Sequence, residues 1–175
     1  PRRKTETAGS ILLDGREMLN ADREEVRKIQ GKDLSVVFQE PMTSLDPVFK
    51  IGKQMVEMIC AHQKVSKAEA RKMAVDALNR VGIPEPEKRV RQYPHEFSGG
   101  MRQRVMIAIA FACDPKILIC DEPTTALDVT IQGQILDIIK ELQREHNTSV
   151  IMITHDLGVV ANIAQKIAVM YSGMI

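Results

Sequence analysis

Two adjacent acids, Asp121 and Glu122, close the apolar stretch Ile117-Leu118-Ile119-Cys120 and precede Pro123. A buried strand that ends in two carboxylates is costly unless they have work at its carboxyl edge, where α/β sheets place ligands. An aspartate there can hold Mg²⁺ directly or through water, because that ion prefers a few carboxylate oxygens and keeps several waters. The next acid faces the other side of the strand end, placed to orient or deprotonate a water attacking a γ-phosphate. The same Asp-Glu-Pro also suits the plain start of a turn. Ser98-Gly99-Gly100 precedes a helical stretch, 101–112. Serine is a good N-cap, glycines let backbone N–H groups approach an anion, and a helix N-terminus adds partial positive charge. Arg102 and Arg104 enlarge that field, although a capped helix after a glycine-rich loop needs no ligand. His155 lies just beyond the apolar run 149–153, and Gln39 ends the run 34–38. If these runs are parallel strands, both side chains fall on the edge of Asp121 and Glu122. There the histidine can bond a γ-phosphate oxygen and the glutamine amide can reach Mg²⁺ or the attacking water. A capping histidine and a loop amide are the plainer alternatives.

The elements that must position these residues are visible as changes of period. A short strand over 10–13 turns at Asp14-Gly15, a helix over 22–30 stops at Gly31, and 34–38 is a β-branched, buried strand ended by Pro41. From 48 to about 112 the helical signal dominates. Ser66 and Glu69 form a capping box that opens a helix to Val81, with Ala70, Met73, Ala74, Ala77, Leu78 and Val81 in one stripe. Gly82 stops it, and Pro84 and Pro86 stiffen the linker beyond. After 112, apolar runs at 116–120 and 149–153 flank a helix over 130–145 expected to bury Ile131, Ile135, Ile138 and Leu142. A third run, 167–171, comes after a helix that begins near Gly158. Strands alternating with helices imply a parallel α/β sheet. A helix-rich middle is therefore inserted between two pieces of an α/β core.

Composition narrows the function classes. Hydrophobic residues are 44% and charged residues 27%, a globular balance, and a net charge of +1 offers no electrostatic footprint for nucleic acid. Aromatic residues are only 3%, too few to build base-stacking platforms. Cys60, Cys113 and Cys120 lack metal-ligand spacing and read as small buried hydrophobes in a reducing compartment. The apolar run 105–113 is too short to span a bilayer, and no signal-peptide pattern opens the sequence. We expect a soluble, cytoplasmic protein whose membrane role, if any, comes through a partner.

Taken together, Gln39, Ser98-Gly99-Gly100, Asp121-Glu122-Pro123, Leu127-Asp128 and His155 stand in the order and approximate spacing of the ABC ATPase family, and the resemblance covers essentially the whole chain. It implies a partial P-loop NTPase core, α/β with a mostly parallel sheet and an inserted α-helical subdomain. Residues 1–46 and 113–175 would form the core, and 47–112 the helical part. It also implies roles. Gln39 corresponds to the Q-loop glutamine, Phe97-Ser98-Gly99-Gly100-Met101 to the signature, 117–121 to the Walker B strand, and Glu122 to the catalytic glutamate. Ala126-Leu127-Asp128 corresponds to the D-loop and His155 to the switch histidine. Asp121 and Gln39 would hold Mg²⁺. Ser98, Gly99 and Gly100 would contact the γ-phosphate of ATP bound to a second, head-to-tail subunit, and Asp128 would link the two sites. Phe97 and Met101 depart from the commonest signature, which has Leu and Gln. With 39–47 (QEPMTSLDP), DEPTTALDVT and THDLGVVA, they are similar to the oligopeptide, dipeptide and nickel uptake branch.

That resemblance implies a homo- or heterodimer of ATPase subunits, peripheral at the cytoplasmic face of the inner membrane. It would dock on two membrane-spanning permease subunits and be served indirectly by a solute-binding protein, with no nucleic acid involved. In that branch the stretch after Gln39 belongs to the docking surface. A phosphate cradle needs G-x-x-x-x-G-K-[ST], and neither Gly31-Lys32 nor Gly52-Lys53 satisfies it. In the family that loop precedes the strand matching 10–13, so this stretch alone is expected to bind ATP weakly and hydrolyse it negligibly. Two rival readings are an ABC ATPase outside transport and a non-catalytic dimerisation or docking module. The near-neutral charge and the 39–47 segment argue against the former; the lack of a cradle favours the latter.

Overall fold

The computed structural model describes residues 7–40, 44–125 and 127–175. The chain opens with a two-stranded hairpin, β1 (Leu12–Leu13) and β2 (Arg16–Glu17). Asp14 and Gly15 both take positive φ, 50° and 77°, as the tight turn between right-twisted strands demands. Helix α1 (Arg23–Ile29) is capped by the Asp22 carboxylate, which accepts from Glu25 N, with acids in its first turn and bases in its last. Gly31, at φ 79°, carries the chain away.

Three parallel strands come next, in the spatial order of the sequence. β3 (Leu34–Val37) pairs with β4 (Ile117–Asp121), and β4 pairs with β5 (Ser149–Ile153). Leu34 lies opposite Ile117, and Ile117 opposite Ser149, so the strands start level. Val37 opposite Cys120 and Asp121 opposite Ile153 then bring their carboxyl ends to one edge. The expected parallel α/β arrangement is present.

Between β3 and β4 the chain builds helices α2 (Ile51–His62), α3 (Lys67–Arg80), α4 (Pro86–Arg89), a 3₁₀ turn (Pro94–Glu96) and α5 (Gly99–Phe111). The Ser66–Glu69 capping box opens α3, and Ala70, Ala74, Leu78 and Val81 of its stripe are buried, with Met73 and Ala77 at the margin. Among the described residues no side chain caps α2. Its first N–H groups donate instead to backbone carbonyls, Ile51 N to Gln92 O at 2.9 Å and Gly52 N to Val90 O at 2.8 Å. Helix α5 is apolar around much of its circumference and accordingly buried on several sides, Val105, Ile107, Ala108 and Phe111 included. Its Gln103 is 2% exposed and its Nε2 has no hydrogen-bond partner among the described residues. A single buried cluster joins these helices to Val37, Leu118 and Cys120 of the sheet.

Helix α6 (Val129–His146) connects β4 to β5, and α7 (Leu157–Ile163) comes after β5. Three expectations need correction. The buried stripe of α6 is Ile135, Leu136, Ile139 and Leu142, while Ile131 and Ile138 lie at its margin. These four residues recur at i, i+1, i+4 and i+7, so the core-facing line runs slightly to one side of the anticipated one. Strand β3 ends at Val37, leaving Phe38 53% exposed. Finally, the run 167–171 forms no strand, and Ile167, Val169 and Met170 are exposed. A strand gains stability from a ladder partner and a covered face. Among the described residues this run has neither, only a bridge from Tyr171 to Met174. Strand β5 is similarly open, with Ile151 and Ile153 about half exposed and only Val150 and Met152 packed on the core.

Candidate active site

The shared carboxyl edge of the sheet gathers residues singled out by type. Strand β4 delivers Asp121 and Glu122, β3 delivers Gln39, and β5 delivers His155. The Glu122 carboxylate is their meeting point. Gln39 Nε2 donates to its Oε2 at 2.8 Å, and His155 Nδ1 lies 2.9 Å from its Oε1. With a carboxylate as partner, Nδ1 carries the proton, which leaves Nε2 of this largely exposed ring available to a second group. A third donor goes unnoticed in the sequence: the Thr125 hydroxyl donates to Oε2 at 2.9 Å. Its only signal there is position, a hydroxyl three residues after an acid across a turn.

Glu122 is one of six side-chain-bearing residues with positive φ among the described residues. Its φ is 45°, the left-handed region that a side-chain-bearing residue seldom enters. Even so its N–H continues the β4–β5 ladder by donating to Ile153 O at 2.9 Å, and its carbonyl accepts from Thr125 N at 3.2 Å. Pro123 and Thr124 are buried beneath this turn. The His155 and Thr125 hydrogen bonds hold the Glu122 carboxyl below the usual glutamate range.

Asp121 is half-buried and its carboxylate makes no hydrogen bond or ion pair among the described residues. Gln39 commits its amide nitrogen to Glu122, so its Oε1 remains an acceptor. One carboxylate and one amide oxygen are a hard-oxygen donor set that fits Mg²⁺, which takes its other ligands from water and phosphate. Among the described residues no group of three His, Cys, Asp or Glu side chains is arranged to hold a metal ion by itself.

The remaining predicted residues make no hydrogen bond to this cluster among the described residues. Ser98 caps α5, its Oγ accepting from Met101 N at 3.3 Å. Open space lies where a Gly99 side chain would stand, whereas a Cβ on Gly100 would come within 2.9 Å of Ile131 Cγ2. Glycine at 100 thus serves the close approach of α5 to α6, and Gly99 leaves the helix N-terminus bare. No hydrogen bond among the described residues joins Ser98, Gly99 or Gly100 to Gln39, Glu122 or His155. Asp128 is exposed at the N-cap of α6 and makes no side-chain capping bond. Ala126, and Pro41, Met42 and Thr43 of the 39–47 segment, lie outside the described residues. A cleft of about 560 Å³ lined by Arg80, Phe111, Glu145 and His146 contains none of the candidate residues.

The family model described as ABC transporter matches residues 2–125. The chain belongs to the ABC transporter family. It is 58% identical over 167 residues to the oligopeptide transport ATP-binding protein OppD of Bacillus subtilis, a match covering 95% of this chain and 47% of that protein. It is 54% identical to the dipeptide transport ATP-binding protein DppD of the same organism, covering 95% of this chain and 50% of that one. The chain thus spans about half the length of the curated relatives it matches. Its fold resembles a solved dimeric ATP-binding cassette in a post-hydrolysis state bound to ADP and Pi, with a TM-score of 0.76 and 30% identity. That likeness covers 87% of this chain and 65% of the other.

Proposed function

We propose that this chain is part of an ATP-hydrolysing subunit that powers uptake of oligopeptides or dipeptides through an ABC-type importer. The observation that carries the reading is the Glu122 carboxylate at the end of β4, beside Asp121, held by side chains arriving from both neighbouring strands. Glu122 takes a proton from a water as the water oxygen forms a bond to the γ-phosphorus of ATP. The bond from that phosphorus to the bridging oxygen breaks, and ADP leaves with the electron pair. Gln39 and His155 orient the carboxylate and, through Oε1 and Nε2, are free to engage the reacting phosphate and its water. Mg²⁺, when bound by Asp121 and Gln39, offsets the charge on the phosphate oxygens.

Ser98, Gly99 and Gly100 make no hydrogen bond to this cluster among the described residues, and open space at Gly99 leaves the start of α5 bare, which supports their use toward the nucleotide of a second subunit paired head to tail. Asp128, exposed beside the turn after Glu122, is suited to linking the two sites. The segment after Gln39 supports docking on membrane-spanning subunits. Gln54 braces it by accepting from Asp46 N and donating to Asp46 O and Phe49 O, each at 2.9 Å, which leaves Val48 72% exposed and Phe49 partly exposed. Among the described residues no helix is long and apolar enough to cross a membrane. We take the helical part, 47–112, as the body that carries both this surface and the Ser98 end of α5. The names of the relatives favour peptides as cargo, delivered by a solute-binding protein.

The test is Glu122→Gln in the intact protein assembled with its partners. The amide keeps the shape but cannot take a proton at the pH of the assay. Nucleotide binding should persist while hydrolysis falls by at least about a hundredfold, on the order of the loss of a general base. Hydrolysis at the unmodified rate would remove Glu122 from the chemistry.

A further inference from the structure

We propose that Thr125 is a positioning residue that keeps the Glu122 carboxylate aimed when its other two partners leave; this rests on the reading of Glu122 as the base. The three donors to that carboxylate differ in origin. Gln39 and His155 come from β3 and β5, far away in sequence, and each has a second polar atom suited to a nucleotide, its metal or its water. Thr125 belongs to the same turn as Glu122 and is tied to it twice, by Thr125 N to Glu122 O at 3.2 Å and by Oγ1 to Oε2 at 2.9 Å.

Gln39 and His155 lie beyond the ends of β3 and β5, so a change in either connecting segment separates its side chain from Glu122. Thr125 stays with Glu122, because Pro123 and Thr124 are buried between them. The β-branched Thr side chain has few χ1 choices, so its hydroxyl is held where the turn places it. A free glutamate side chain, in contrast, has three rotatable bonds to wander over. A shift of Gln39 or His155 that breaks its bond to Glu122 would leave the base unsteered if Thr125 did not retain one oxygen. The resting structure therefore has a carboxylate with two exchangeable holders and one permanent one.

The experiment compares Thr125→Val, Thr125→Ala and Thr125→Ser in the intact transporter, with Glu122→Gln as reference. Valine keeps the shape and removes only the hydroxyl. We expect Thr125→Val and Thr125→Ala to lower kcat about tenfold with KM for ATP unchanged, the scale of one hydrogen bond to a charged group. Thr125→Ser should restore kcat to within about twofold of the parent. On the Glu122→Gln background, Thr125→Val should leave the residual rate unaltered, because there is no base left to aim. Unchanged kcat in Thr125→Val, a serine variant as slow as valine, or a change in KM alone would overturn the proposal. So would a tenfold fall on both backgrounds, since that reports general damage to the turn. If Glu122→Gln itself hydrolyses ATP normally, the underlying assignment of the base fails; if it is inactive while Thr125→Val is fully active, only the role of Thr125 does.

Discussion

Replacing Gly52 by alanine should destabilise the protein, against the usual preference of helices. Alanine in a helix is favoured over glycine by about 0.5–1 kcal/mol, so propensity alone predicts a gain. The surroundings reverse the sign. A Cβ on Gly52 would stand 2.4 Å from Val90 Cγ2 and 2.6 Å from the Val90 carbonyl oxygen. The Val90 side chain is 3% exposed and has nowhere to swing, and a backbone carbonyl moves only with its chain. That carbonyl is also the acceptor for Gly52 N, and the neighbouring pair joins Ile51 N to Gln92 O, so retreat breaks the contacts that cap α2. Overpacking of this kind costs about 1–3 kcal/mol, and each lost hydrogen bond adds about 0.5–1.5 kcal/mol. With both bonds lost and the propensity gain subtracted, the net loss is about 1–5 kcal/mol, or roughly 2–20 °C in Tm for a domain of this size. Gly133 provides the opposite case on α6: nothing lies within 4 Å of its would-be Cβ. Gly133→Ala should therefore stabilise by about 0.5–1 kcal/mol. Thermal unfolding of the two variants of the intact protein, monitored by circular dichroism, reads both signs. A Gly52→Ala protein as stable as the parent would refute the steric reasoning.

Ser66→Ala removes the cap of α3 and should cost about 1 kcal/mol. The paired Glu69 carboxyl, held below its ordinary value first by the Ser66 hydroxyl and then by Ser66 N, contributes stability that is present above the usual glutamate range and lost as pH falls through its lowered value. The Tm difference between the parent and Glu69→Gln should thus shrink to nothing on acidification, as scanning calorimetry across that range would show. Cys120 is fully buried in β4 and its thiol is pushed up to about 12 by burial, so it should resist iodoacetamide at neutral pH until the protein is unfolded. Peptide mass spectrometry of the native protein would detect any early labelling.

Local signals are readable from sequence wherever a few neighbouring residues decide the structure. The Asp14-Gly15 turn, the Ser66–Glu69 box and the Ser98 cap all form, because each is settled between adjacent side chains and backbone groups. The sheet edge is readable too, since parallel strands that start level end level, whatever fills the space between them. The features that escape depend on neighbours distant in sequence. Ile151 and Ile153 belong to a β-rich apolar run, yet half of β5 has no layer over it. The backbone capping of α2 by 90 and 92 leaves no trace in residue type, since any residue has a carbonyl. Thr125 is hidden because its partner is set by the conformation of Glu122.

The internal support for the role proposed for Glu122 is what its side chain gathers, since its conformation alone recurs elsewhere in the chain. A residue with a Cβ in the left-handed region costs about 1–2 kcal/mol, and glycine or asparagine would occupy the same turn with less strain. The ladder bond to Ile153 O and the turn bond from Thr125 N involve only backbone, so either replacement would keep both. Neither would keep the glutamate carboxylate, the one group at this position that Gln39, Thr125 and His155 all reach. Asp14, Glu85, Asp114, Asn147 and Ser172 share the positive φ, so what sets Glu122 apart is the three donors that reach its carboxylate. A glutamate serving only to start a turn would have no reason to gather donors from β3, from its own turn and from beyond β5.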